Sequence, residues 1–155
     1  MSLTVVLQNN ANDRHVPSQK QFQTWINQII ISLPHAKRWQ QQRQIIGICI
    51  LDKKKMQKLN KTYRNKNKPT NILAFSYRLL PDKTQSCLGD LAICSDIIRQ
   101  EAISQDKTIR AHWAHLTIHG VLHLLGYDHD RQAKAKKMES LEIEILKKLG
   151  FENPY

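Results

Sequence analysis

Residues 44–51 read QIIGICIL, a nearly continuous apolar run of strand length. A strand with one wet face alternates apolar and polar side chains, whereas a run like this one suits a strand covered on both faces. Helices layered on a sheet are the natural cover. Upstream, Leu3 to Gln8 reads as a short first strand. Residues 18–33 then set Phe22, Trp25, Ile26, Ile29, Ile30 and Leu33 at helical spacing, and Pro34 marks the end. Strand, helix, strand in that order favours parallel pairing.

Downstream, Asp52 can cap a lysine-rich helix that keeps Met56, Leu59 and Tyr63 inward. RNKNKPTN, residues 64–71, is a loop by its Asn and Pro content. ILAFSY (72–77) and LGDLAIC (88–94) read as two more strands. Ser95 stands where it would cap a helix through about Gln105. A long helix follows from Thr108 to Leu125, Gly126 stops it, and a last helix spans about Gln132 to Leu149 before Gly150. The expected class is α/β to α+β: one mixed sheet of about four strands packed against about five helices. The strand order does not follow from the sequence.

The chain of 155 residues suits a single domain, 1–155, with a real core. Its 41% apolar and 24% charged residues are those of a soluble globular protein. MSLTVVLQNN has neither the cationic nor the long apolar region of a signal peptide, and no apolar run approaches a membrane span, so a cytoplasmic location is expected. Cys49, Cys87 and Cys94 are odd in number and form no C-x-x-C pair. They read as small buried hydrophobes rather than disulfides or a thiolate metal site.

The net charge of +11 is unevenly spread. Between Lys53 and Arg78 stand nine Lys or Arg residues and no Asp or Glu. A single-sign block of this kind sets up a field for polyanions, with nucleic acid the leading partner. Lys53, Lys54, Lys58, Lys61, Lys66 and Lys68 are the candidate contacts to RNA backbone phosphates. No dense aromatic set accompanies them, so base stacking is expected to be minor.

HLTIHGVLHLLGYDHDR, residues 115–131, holds four of the seven histidines. His119 and His123 are four apart on a helix, stacked on one face about 6 Å apart along the axis, and can share one cation. Gly126 can take the left-handed conformation that turns the chain back, letting His129 reach the same ion. Three neutral imidazoles with one position left for water describe a catalytic zinc site, on a helix of the C-terminal half and the turn after it. An all-nitrogen set favours zinc over magnesium or calcium. The ion would bring the pKa of its water toward neutrality. The spacing also fits the metzincin pattern H-E-x-x-H-x-x-G-x-x-H, but Gly120 stands where those proteases keep the glutamate base, which argues against a protease. His115, one turn before His119, either touches substrate or is structural. His112 reads as a surface residue. Asp128 either orients a ligand imidazole or is a turn residue. Tyr127 reads as packing.

HLTIHGVLHLLGYDH closely resembles the motif of the YbeY family, bacterial metal-dependent endoribonucleases of ribosomal RNA maturation. Residues 59–77, LNKTYRNKNKPTNILAFSY, and 88–94, LGDLAIC, resemble that family too, so the likeness covers essentially the whole chain. It implies one zinc ion on His119, His123 and His129, and a functional arginine that falls on Arg64. It further implies action in small-subunit ribosomal RNA processing and ribosome quality control, with ribosomal RNA, the small subunit and ribosomal or ribosome-associated proteins as partners. The family loop usually reads K-D-x-P-T-(D/N)-V-L-S-F-P. Here Asn67, Ala74 and Ser76 replace its Asp, Ser and Pro, and none of these is a proposed metal ligand.

The resemblance, taken with these residues, implies a zinc-dependent single-strand endoribonuclease in which Arg64 and the metal neutralise charge on the phosphorane-like transition state. The nucleophile is either water on the zinc or the RNA 2′-hydroxyl, and no motif residue is a convincing general base. The alternative reading is a non-catalytic, zinc-stabilised assembly factor that binds the ribosome. Oligomeric state is left open.

Overall fold

The computed structural model describes residues 3–33, 44–77, 87–128 and 131–155. Among them lie four strands and five helices: β1 (Leu3–Asn9), α1 (Gln19–Ser32), β2 (Gln44–Leu51), α2 (Lys53–Arg64), β3 (Ile72–Ser76), β4 (Cys87–Cys94), α3 (Ser95–Ser104), α4 (Ile109–Leu124) and α5 (Gln132–Lys148). One mixed sheet has the order β1-β2-β4-β3. β1, β2 and β4 are parallel, and β3 runs antiparallel at the edge beside β4. This is the expected α+β layout, and the parallel β1–α1–β2 start is as read from the sequence. No described helix is long and apolar enough to cross a membrane.

The QIIGICIL strand is covered unequally. Ile46, Ile48 and Ile50 are fully buried in the main core, together with Phe22, Ile26 and Ile29 of α1, Trp113, Ile118 and Leu122 of α4, and Leu141 and Ile145 of α5. On the opposite face Leu51 joins a small cluster with Met56, Leu73, Ala92 and Cys94, but Ile45 is 37% exposed. Coverage on both faces is therefore complete only at the C-terminal end of the strand. The reason is α2, which is short and lysine-rich and buries only Met56 and Asn60.

Caps explain where the helices begin. Ser18 and Gln21 form a reciprocal capping box at α1, Asp52 accepts from the Lys55 amide at 2.8 Å, and Thr108 accepts from the Ala111 amide at 3.1 Å. Ser95 does not cap: it is the first residue of α3, and Cys94 occupies the cap position without a side-chain bond. Tyr63 is 60% exposed rather than inward, with its ring edge-on to Phe75. The inward place on that turn belongs to Asn60, 2% exposed, whose amide donates to the Lys68 carbonyl at 2.8 Å and ties the 65–70 loop to the helix. Cys94 is buried, whereas Cys49 and Cys87 are only half-buried.

α4 lies close over β3 and β4 because Gly120 has no side chain. A Cβ there would stand 2.7 Å from Ile72 Cδ1 and 2.9 Å from Leu91 Cδ2. Close packing of the helix on the sheet is therefore what the glycine at position 120 permits.

Candidate functional site

α4 ends as its sequence requires. Gly126 takes φ 100°, and the Gly126 and Tyr127 amides fold back to the His123 and Leu122 carbonyls at 3.0 Å each. Tyr127, just past the turn, is half-buried against the core. His129 lies outside the described residues.

His115, His119 and His123 share one face of α4 and line a cleft of about 540 Å³ between that helix and the β3 edge. Arg64, Asn71, Ala74, Ser76 and Tyr155 contribute to the same cleft. The Nε2 atoms of His119 and His123 face each other at 3.0 Å. Two nitrogens about 2.0 Å from a tetrahedral zinc stand about 3.3 Å apart, so this pair presents its donor atoms at nearly the required spacing. Among the described residues, no group of three His, Cys, Asp or Glu side chains is placed to hold a metal ion.

Behind the pair sits a residue that the sequence reading passed over. Glu142 of α5 is fully buried, and its two carboxylate oxygens collect three donors. His119 Nδ1–H donates to Oε1, while His115 Nε2–H at 3.3 Å and the Tyr155 hydroxyl donate to Oε2. Burial alone would raise the carboxyl, but the hydrogen bonds from His115, His119 and Tyr155 prevail and hold it down to about 2. The buried group is therefore ionised at neutral pH. With the His119 proton held on Nδ1, its Nε2 is the lone-pair atom turned toward His123. This is the carboxylate–histidine arrangement that orients metal-binding imidazoles. A signal for Glu142 existed: Met138, Leu141, Ile145 and Leu146 form the buried stripe of α5, and Glu142 interrupts it with a charge.

Tyr155 was passed over too, and nothing in its local sequence context marks it. The other expected positions separate clearly. Arg64, exposed in the last turn of α2, donates from Nη2 to the Ala74 carbonyl at 3.1 Å and lies 5.3 Å from the Phe75 ring centre, which sets it on the cleft rim. Lys53 is half-buried and Lys54, Lys58, Lys61, Lys66 and Lys68 are exposed on α2 and its loop. None of the six is among the described residues lining the cleft. Asp128, half-buried, stands 3.5 Å from the Lys134 ammonium. His115 is tied to Glu142 rather than open to solvent.

His112 is a correction to the sequence reading. It is 3% exposed, not on the surface, and its Nε2–H donates to Glu101 at 3.0 Å. Glu101 in turn accepts from Asn71 at 3.1 Å. The triad links α4, α3 and the start of β3, and so helps fix the cleft wall that Asn71 shares.

The profile of a protein family described as Endoribonuclease YbeY matches residues 6–150. Among solved structures, the solution structure of TM1509 from Thermotoga maritima is similar over 94% of this chain and 92% of its own, with a TM-score of 0.57 at 16% identity, which supports the fold. A match over nearly the whole chain, with the histidine pair, Arg64 and Gly126 all inside the matched span, decides the assignment: the chain belongs to the endoribonuclease YbeY family.

Proposed function

We propose that this protein is a zinc-dependent, single-strand endoribonuclease that acts in small-subunit ribosomal RNA maturation and ribosome quality control in the cytoplasm. The observation that carries it is the His119–His123 pair, Nε2 to Nε2 at 3.0 Å, in a cleft whose rim holds Arg64. His119, His123 and His129 would hold the ion. When bound, it would supply Lewis-acid charge and lower the pKa of water.

The chain's own residues have distinct tasks in this reading. Glu142 keeps the His119 proton on Nδ1. Arg64 spends one N–H on Ala74 and keeps others of its fork for the non-bridging oxygens of a phosphate, where it offsets charge that grows in the transition state. The Ala74 bond and the Phe75 ring hold the guanidinium in place before substrate arrives, which limits the entropy lost on binding. Lys53, Lys54, Lys58, Lys61, Lys66 and Lys68, lying outside the cleft, would hold phosphates further along the strand. Asp128 and His115 would act around the ligands rather than on the phosphate. Ribosomal RNA, the small subunit and ribosome-associated proteins are the proposed partners.

The test is metal analysis of the purified protein beside cleavage of single-stranded ribosomal RNA, with and without chelator. Stoichiometric zinc, cleavage lost with the chelator, and loss in a folded Arg64→Ala variant are expected. Wild-type protein that holds zinc and binds RNA yet never cuts it would instead favour an assembly factor.

A further inference from the structure

Tyr155 combines two properties that rarely coincide. It is 60% exposed, yet its hydroxyl points inward, donating to the fully buried Glu142 and lying 3.4 Å from His115 Nε2. An exposed tyrosine ordinarily keeps its polar tip in water and covers its ring. Here the tip is taken inside, and Tyr155 is among the residues that line the cleft.

The ring is also held in advance. After α5, Gly150 turns the chain with φ 87°, and the Phe151 amide closes on the Leu146 carbonyl at 2.8 Å. Phe151 meets Trp25 edge-on at 6.4 Å and carries the Arg110 guanidinium at 5.9 Å. Lys107 donates to the Pro154 carbonyl at 2.7 Å, and Asn153 accepts from the Tyr155 amide at 2.9 Å. The Tyr155 ring then stands at 83° to His115 with centres 5.3 Å apart. None of these contacts needs a ligand, so little freedom remains to be lost when one binds.

We infer that Tyr155 is a stacking platform for one nucleobase of the bound strand, next to the phosphate held at the histidine pair. This rests on the endoribonuclease reading and refines it. Every base offers a π-face, and a base–aromatic stack tolerates sequence, which suits an enzyme that must recognise an unpaired strand rather than a motif. A base inside a duplex is already stacked on both sides, so the platform would favour single-stranded substrate. The cleft would then take charge from Arg64 and flat apolar surface from Tyr155. This departs from the expectation that stacking is minor.

The experiment uses zinc-loaded wild type, Tyr155→Phe and Tyr155→Ala, with a single-stranded oligoribonucleotide in which one 2-aminopurine is walked along the strand. Fluorescence is followed by stopped flow before cleavage, and KM and kcat are measured in parallel. Wild type should quench one position, Tyr155→Phe should keep that quench although its bond to Glu142 is gone, and Tyr155→Ala should lose it. KM should rise about 10–100-fold in the alanine variant, the scale of one base stack, with kcat changed less. An abasic nucleotide at the quenched position should raise the wild-type KM similarly and leave Tyr155→Ala unaffected. Quenching that survives in Tyr155→Ala, with wild type cleaving normally, overturns the platform alone. Wild type that neither binds nor cleaves RNA overturns the endoribonuclease reading with it.

Discussion

Glu142→Gln keeps the size of the side chain and removes its charge, which isolates what the carboxylate does for the histidines. In the wild type, three donors converge on two acceptor oxygens. Glutamine offers one. If its oxygen faces His119, the Nδ1–H bond survives in weaker, neutral form. If its NH₂ faces His119 instead, Nδ1 must accept, and the ring proton moves to Nε2, the atom that points toward His123. Both outcomes make the pair a poorer ligand set. Loss of such an outer partner lowers metal affinity by about 10–100-fold, or about 1.4–2.7 kcal/mol. Stability should fall as well. Hydrogen bonds to a charged group contribute about 1.5–3 kcal/mol and neutral ones about 0.5–1.5, so three weakened bonds forfeit several kcal/mol. Relief from burying a charge offsets much of this, for a net loss of about 1–2 kcal/mol. In a chain of this size that is a drop in Tm of about 2–8 °C. The assay is competition with a chromophoric zinc chelator at neutral pH, with His119→Ala as reference and thermal unfolding of metal-free protein alongside. A glutamine variant that holds zinc within about twofold of wild type would refute the orienting role.

Three further outcomes are expected. The folded Glu142 carboxyl lies at about 2 against its ordinary 4.5, so its contribution, on the order of 3 kcal/mol, is complete above about pH 4.5 and fades as pH falls toward 2; the Tm of metal-free wild type should decline across that window more steeply than that of Glu142→Gln, and parallel curves would contradict it. Gly120→Ala drives a Cβ against Ile72 and the fully buried Leu91 and should lower stability by about 1–3 kcal/mol, measured by urea unfolding; an unchanged midpoint would mean that the α4–sheet spacing yields freely. RNA binding should weaken with salt at a logarithmic slope of about −3.5 if about five phosphates are contacted, and replacing Lys61 and Lys66 together should reduce that slope; a flat dependence would remove the lysine track from the interface.

The cleft works through elements that are distant in the chain. α4 supplies the imidazoles, α5 the carboxylate behind them, the end of α2 the guanidinium, and the segment after α5 the tyrosine ring. Glycine at position 120 lets α4 settle onto β3 and β4, and this brings the histidine face to the same edge as Arg64 and Ala74.

What could be read from the chain alone was whatever depends on neighbours a few residues away. The i, i+4 spacing of His119 and His123, the left-handed stop at Gly126, the cap at Asp52, and the mixed sheet with helices are all local consequences of helix and strand periodicity, whereas the cap expected at Ser95 falls one residue earlier, at Cys94. Glu142, Tyr155 and the burial of His112 depend on partners 11 to 40 residues distant, and no periodicity encodes which helix faces which. The same holds for the half-covered β2, where the apolar run signalled two buried faces but the small apolar area of α2 limited how much of one is shielded. Side-chain type and spacing therefore placed the two histidines on one face, and packing of α5 against α4 decided which carboxylate stands behind them.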